Sequence, residues 1–216
     1  MGGLKVIPAG EADIARSVAI EKVAYGPNVT SPILFPGPFE GNSDADREGH
    51  MLKMLHADPI SCRWIQAVDE NLIAQGQHGM VSFSMGYLWT STVNPPPKRT
   101  WGPGTNPEAC ELLFGTMTKK WFERMGGKPH FYLKLLHTDP AHQKRGAATM
   151  LLRHFAALAD EHGLESYLEA TASGLPLYKK VGFEVVEVME TNFSKWGGPE
   201  KSETYLMLRK PGKPAN

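Results

Sequence analysis

The chain holds 216 residues, with 23 Lys and Arg against 23 Asp and Glu, a net charge of zero, and 41% hydrophobic residues. That length suits one domain, and that composition excludes a wholly disordered chain. Balanced charge argues against a dedicated duplex-nucleic-acid binder, which needs a cationic surplus to displace counterions.

The opening segment, Met1 to Val6, lacks the apolar h-region of a secretory signal, and Gly2 does not start a myristoylation motif because Val6 stands where Ser or Thr is needed. A strand is expected at 4–7 and a helix at 11–25, with Ile14, Val18 and Ala19 on one side and Gly26-Pro27 as its stop. Residues 26–41 are broken by Pro27, Pro32, Pro36 and Pro38 and read as a loop or flap whose Ile33, Leu34, Phe35 and Phe39 need cover. A helix follows at 43–57, then an alternating strand at 61–68, a turn at 69–71, and one or two strands within 72–90. The proline-rich 94–107 is a surface loop that ends in Asn106-Pro107, a cap and first position for a helix running to Met125. Beyond it the pattern gives strand 131–138, helix 143–161, strand 166–170, helix 175–181 and strands 183–190 and 203–208. Strand–helix–strand–helix–strand implies a mixed α/β sheet with a parallel portion. Cys62 and Cys110 form neither a disulfide framework nor a metal-ligand spacing and read as buried, reduced thiols of a cytoplasmic protein. No apolar run approaches the ~18 residues of a membrane span.

The densest chemistry lies where the strand ending in Leu136-His137-Thr138 passes through Asp139-Pro140 into Gln143-Lys144-Arg145-Gly146-Ala147-Ala148-Thr149. A helix that opens this way presents unpartnered N–H groups and a positive dipole end, a setting for a phosphate or pyrophosphate. Gly146 and the two alanines keep side chains clear of an approaching anion, and Lys144 and Arg145 add charge. A tight connection with solvated basic residues fits the same pattern. The glycine-rich phosphate loop ending in Gly-Lys-Ser/Thr and the dinucleotide GxGxxG are both missing.

Gln143-Lys144-Arg145-Gly146-Ala147-Ala148 resembles the Gln/Arg-x-x-Gly-x-Gly/Ala signature of the GNAT superfamily of acyl-CoA-dependent N-acetyltransferases. Leu177-Tyr178-Lys179-Lys180-Val181-Gly182-Phe183 is similar to its second signature, Leu-Tyr-x-Lys-x-Gly-Phe, at the expected distance. Tyr167–Thr171 and Tyr205–Pro211 also resemble the puromycin N-acetyltransferase-like branch and its fungal relatives. The resemblance covers about 130–190. It implies one domain over 1–216 with the GNAT fold, a splayed mixed sheet of about six to seven strands with helices on both faces, and acceptor-side insertions at about 26–60 and 91–107. It implies acetyl-CoA as co-substrate, with pantetheine against the backbone of Leu136, His137 and Thr138 and pyrophosphate on the N–H groups from Gln143 through Thr149. Thr171 stands where the family often has Asn, and a hydroxyl offers fewer hydrogen bonds than an amide.

In that frame the chain is expected to acetylate a small amine by direct transfer in a ternary complex, with no metal, as a monomer or homodimer, with neither nucleic acid nor membrane as partner. Two other readings share the motifs: an acyl-CoA binder without turnover, and a transferase of another acyl group. Tyr178 takes the family's position for protonating the departing thiolate, or else is a core tyrosine. A backbone N–H of His137 or Thr138 is the oxyanion donor. Glu169 is the carboxylate candidate for the base, against a salt-bridged surface role. On strict alternation Tyr132, Lys134, Leu136 and Thr138 share one face, where Tyr132 and Lys134 stand at relay positions. His50, His56, His137 and His142 also titrate in range. Tyr25, Phe35, Phe39, Trp89 and Trp101 are offered to the acceptor pocket or to the core.

Overall fold

The computed structural model describes residues 3–26, 28–39 and 41–212. Gly2 with its myristoylation reading, and Pro27 with its part in the helix stop, lie outside the described residues. In chain order the elements are β1 (Leu4–Pro8), α1 (Ile14–Tyr25), α2 (Ser43–Ala57), β2 (Cys62–Asp69), β3 (Met80–Trp89), α3 (Thr116–Met125), β4 (His130–Thr138), α4 (Ala147–Glu161), β5 (Ser166–Ala170), α5 (Leu175–Lys180), β6 (Glu184–Thr191) and β7 (Ser202–Arg209). The strands form one seven-stranded sheet in the order β1-β2-β3-β4-β5-β7-β6. Among the described residues only the central pair, β4 with β5, is parallel.

The helices cover both faces because their apolar stripes have both faces to bury. Ala147, Leu151, Leu152, Phe155 and Ala159, at helical spacing on α4, pack on Phe131, Leu133, Leu168 and Met207. The rings of Phe131 and Phe155 lie 4.8 Å apart. On the other face, Ile14, Val18 and Ile20 of α1 and Met51 of α2 meet Trp64, Phe83 and Met85. Trp121 and Met125 of α3 cover Tyr132, Tyr167 and Leu206.

Two details of the sheet set up the site. First, β4 and β5 pair at only Phe131–Ser166 and Tyr132–Tyr167 before they part. Second, β4 carries a bulge: Met85 faces Leu135 while the next residue, Gly86, faces Leu133, so Lys134 is the extra residue. Gly86 is required opposite it, since a Cβ there would stand 2.4 Å from the ring of Phe131. The bulge overturns the strict alternation expected for β4. Tyr132, Lys134, Leu135 and His137 turn to the α1–α3 face, while Leu136 packs with the α4 cluster.

Three local expectations also shift. The helix expected from Gln143 starts at Ala147, because Lys144 (φ 60°) and Gly146 (φ 90°) adopt left-handed backbone that no helix continues. Residues 72–90 form one helical turn, Glu70–Ala74, capped by the Asp69 side chain, and one strand. The flap is tied to the later loop: Asn106 donates its N–H to the Leu34 carbonyl at 2.9 Å and Gly37 to that of Gly104 at 3.0 Å. Leu34, Ala109, Cys110 and Phe193 are buried together beneath this seam, which covers Leu34 and partly covers Ile33, whereas Phe35 and Phe39 stay exposed.

Candidate active site

Where β4 leaves β5, the backbone of β4 has a free side. The N–H of Asp139 bonds the Val81 carbonyl at 2.9 Å. Peptide directions alternate along a strand, so His137 and Leu135 face β3 with it, whereas the peptide groups of Leu136 and Thr138 face the gap. The His137 side chain is also turned away. It is buried, stacked on Phe83, with Nε2 3.0 Å from Ser17 Oγ, and burial pushes its pKa down to about 4. Of the two N–H groups named for the oxyanion, only that of Thr138 is on the gap side.

Beyond Asp139-Pro140 the chain makes a short 3-10 turn, Pro140–His142, and then a concave run of backbone into α4. No side chain caps α4, and a Cβ built on Gly146 would meet nothing within 4 Å. Open N–H groups at a helix start with a clear approach are what an anion requires. The two sides of this loop are pinned from afar. Arg145 donates to Asp69 at 2.6 Å and to His142 Nδ1 at 3.1 Å, and the Arg145 hydrogen bond holds the Asp69 carboxyl below its usual range. Arg16 donates to Asp139 at 2.7 Å. Arg145 is therefore engaged in holding the loop, while Lys144 and Gln143 are exposed at it.

On the α1–α3 face of the gap three polar groups form a chain. Lys134 Nζ donates to Tyr132 Oη at 3.0 Å, and Tyr132 Oη donates to Glu169 Oε2 at 2.8 Å. Burial raises the Glu169 pKa against the opposing pull of Lys134, and burial brings that of Lys134 down to about 8. The surface salt-bridge reading of Glu169 does not match this packing. The bulge at Lys134 and the two-pair limit at Tyr132 explain the meeting, since together they turn both side chains toward β5.

Tyr178 on α5 approaches from the opposite face, its ring 6.1 Å from Phe183, and burial pushes its hydroxyl up to about 12. Tyr25, at the end of α1, donates to the Leu136 carbonyl at 2.8 Å and lies close enough to Tyr178 for a charge there to raise its own pKa, though burial is the larger cause. The two tyrosines thus bracket β4 at the gap. Thr171 is exposed just after β5, its hydroxyl 3.0 Å from that of Ser173.

The other candidates disperse. His56 pairs with Glu11 at 2.9 Å on the exposed end of α2, and His142 serves Arg145. His50 is held below its usual range by burial and by the positive charges of Arg47, Arg99 and Lys53. Trp89 stacks on Tyr87 at 4.9 Å and belongs to the core. Trp101 and Phe35 both meet Phe114, at 5.9 and 6.3 Å, and Phe39 is exposed beside Gly104. Sequence reasoning missed Asp69, Arg16 and Arg99. The only local signal for the bulge was Gly86 inside a strand pattern.

Residues 106–183 match the model of the Acetyltransferase (GNAT) family. No curated protein matches the chain in sequence. Solved structures match its fold along its length. A structure described as a histone acetyltransferase HPA2 and related acetyltransferase from Corynebacterium glutamicum is 17% identical, with a TM-score of 0.61 and 99% of each chain covered. NAA60 of Arabidopsis thaliana, in complex with a bisubstrate analogue, is 14% identical, with a TM-score of 0.58 over 97% of this chain and 98% of that one. A phosphinothricin acetyltransferase from Sinorhizobium meliloti, in complex with AcCoA, is 13% identical, with a TM-score of 0.57 over 97% and 89%.

Proposed function

From a chain that carries a GNAT acetyltransferase domain over residues 106–183, we propose an acetyl-CoA-dependent N-acetyltransferase acting on a small amine by direct transfer. The observation that carries this reading is the Lys134–Tyr132–Glu169 chain, a buried tyrosine between two half-buried charged groups, beside the place where β4 parts from β5. The whole chain acts as one unit, its cofactor core at about 130–190 and its acceptor side at about 26–60 and 91–107. The free, buried thiols of Cys62 and Cys110 favour a reducing compartment such as the cytoplasm.

When bound, the thioester supplies the activated acyl group. The peptide groups of Leu136 and Thr138 would hold its pantetheine arm, and the N–H groups from Gln143 through Thr149 its pyrophosphate, with Ala147 and Ala148 leaving the approach open. The Thr138 N–H would receive the developing negative charge on the acyl oxygen. Glu169, whose ionised form the Lys134 charge favours against burial and which is linked through Tyr132, would take the proton of the incoming ammonium. Tyr178 stays protonated well above neutral pH and would give its proton to the departing thiolate.

The test is release of free CoA thiol on mixing acetyl-CoA with a panel of amines. Turnover with at least one amine is expected. E169Q and Y178F should each lower kcat by about 10²–10⁴-fold, the usual contribution of a positioned acid or base, while calorimetry still finds CoA bound. CoA binding without thiol release from any amine would favour the non-catalytic reading, and no CoA binding at all would remove both.

A further inference from the structure

We propose that the acceptor is an amine that also carries a carboxylate, and that Arg99 binds that carboxylate; this rests on the N-acetyltransferase reading above. Arg99 lies on the loop that leads into the helix at Pro107, half-buried, with its guanidinium 6.0 Å from the centroid of Trp101 and 5.9 Å from that of Phe114. Among the described residues it makes no ion pair and no hydrogen bond. Other guanidiniums at the site are already matched: Arg47 grips Glu21 through two bonds of 2.7 and 2.8 Å, Arg145 is held by Asp69 and Arg16 by Asp139. A partly desolvated guanidinium without an anion is costly, and its planar fork is built for a carboxylate.

Arg99 also stands near the chemistry. Its positive charge is felt at Glu169, Tyr132 and Lys134, and at His50 on α2. On this proposal the acceptor sets its acid on Arg99 and turns its amine toward the Glu169–Tyr132 pair, whose charge Arg99 reaches. The cavity beside Arg99, about 230 Å³, is lined by Lys98, Lys119 and Glu111 as well. The Glu111 carboxylate accepts the Trp101 indole N–H at 3.2 Å and does not pair with Arg99. The lining thus carries three cations against one anion, and its polarity favours an anionic group. Pro96, Pro97 and Phe122 give the same cavity an apolar wall, which favours an amino acid with an apolar side chain.

The experiment compares matched acceptors: L-phenylalanine, L-phenylalaninamide and 2-phenylethylamine, and L-methionine with its amide, each with acetyl-CoA and read by thiol release. The amide's amine is the less basic, so raw rates are biased against the acid and a preference for it is meaningful. The intact enzyme should favour the acids by about 10- to 100-fold in kcat/KM, the usual range for a charge-assisted hydrogen bond. R99Q should bring that ratio close to one, and R99K should restore part of it, with melting temperatures unchanged. Equal use of acid and amide overturns the proposal, and so does an R99Q variant that keeps the preference. If none of these compounds is turned over, calorimetry of the same pairs with the CoA-bound enzyme decides, and equal or absent binding again overturns it. Failure of the acetyltransferase reading looks different: no thiol is released from any amine of the wider panel.

Discussion

Glu169 shows why a carboxylate on a short strand cannot be assigned from its neighbours. Its neighbours in sequence say only that it follows Leu168; the partners that would make it a base are Tyr132, 37 residues away, and behind it Lys134. The Lys134 charge lowers the Glu169 pKa against burial. Removing that charge leaves burial unopposed, so the carboxyl should need a higher pH to ionise. K134M is therefore expected to move the acid limb of the kcat/KM profile to higher pH, as measured by thiol release across pH 5–9. A limb that stays in place would put the base elsewhere. In the intact protein Lys134 gives up its own proton only as pH rises through about 8, so at lower pH its charge is present and makes Glu169 easier to ionise.

At the scale of elements, the bulge of β4 and the loop before α4 decide what faces the gap. Gly86 permits the bulge, and a methyl group at that position must displace the buried Phe131 ring. G86A should cost about 1–3 kcal/mol, as overpacked cores do, measured by urea unfolding, and should lower turnover more than E169Q-like chemistry at one residue, because Tyr132 and Lys134 both move. The proposed anion loop depends instead on the Arg145–Asp69 bond across 76 residues. D69N keeps the shape but loses the charge, so acetyl-CoA should bind several-fold more weakly while the pH profile is unaltered. Calorimetry reads the first and kinetics the second. Unchanged affinity would mean that the loop holds its form through Lys144 and Gly146 alone.

Across the whole molecule, the sheet is two antiparallel blocks, β1–β4 and β5–β7, joined by two residue pairs. Helix α4 reinforces the join by packing on Phe131 and Leu133 of one block and Leu168 and Met207 of the other. A ligand lodged between β4 and β5 supplies bonds that the sheet itself lacks. Saturating CoA should therefore slow amide hydrogen exchange along β5 and at the start of α4, and raise the melting temperature as any native-state ligand does. Protection confined to α4 would show that the ligand does not enter the gap.

The order of elements and the left-handed glycine before α4 were legible in the chain because each depends on neighbours in sequence: helical spacing, proline stops, a glycine free to take left-handed backbone. The same local logic marked Tyr178 through its motif. Side-chain direction along β4 was not legible, since one bulged residue reverses a period of two, and the bulge is fixed by pairing with β3 rather than by β4 itself. Nor could the sequence tell that Arg145 is committed to Asp69, that Glu169 meets Tyr132, or that Arg99 meets no carboxylate among the described residues. Charges find partners through space, and only the folded chain brings those residues within reach of one another.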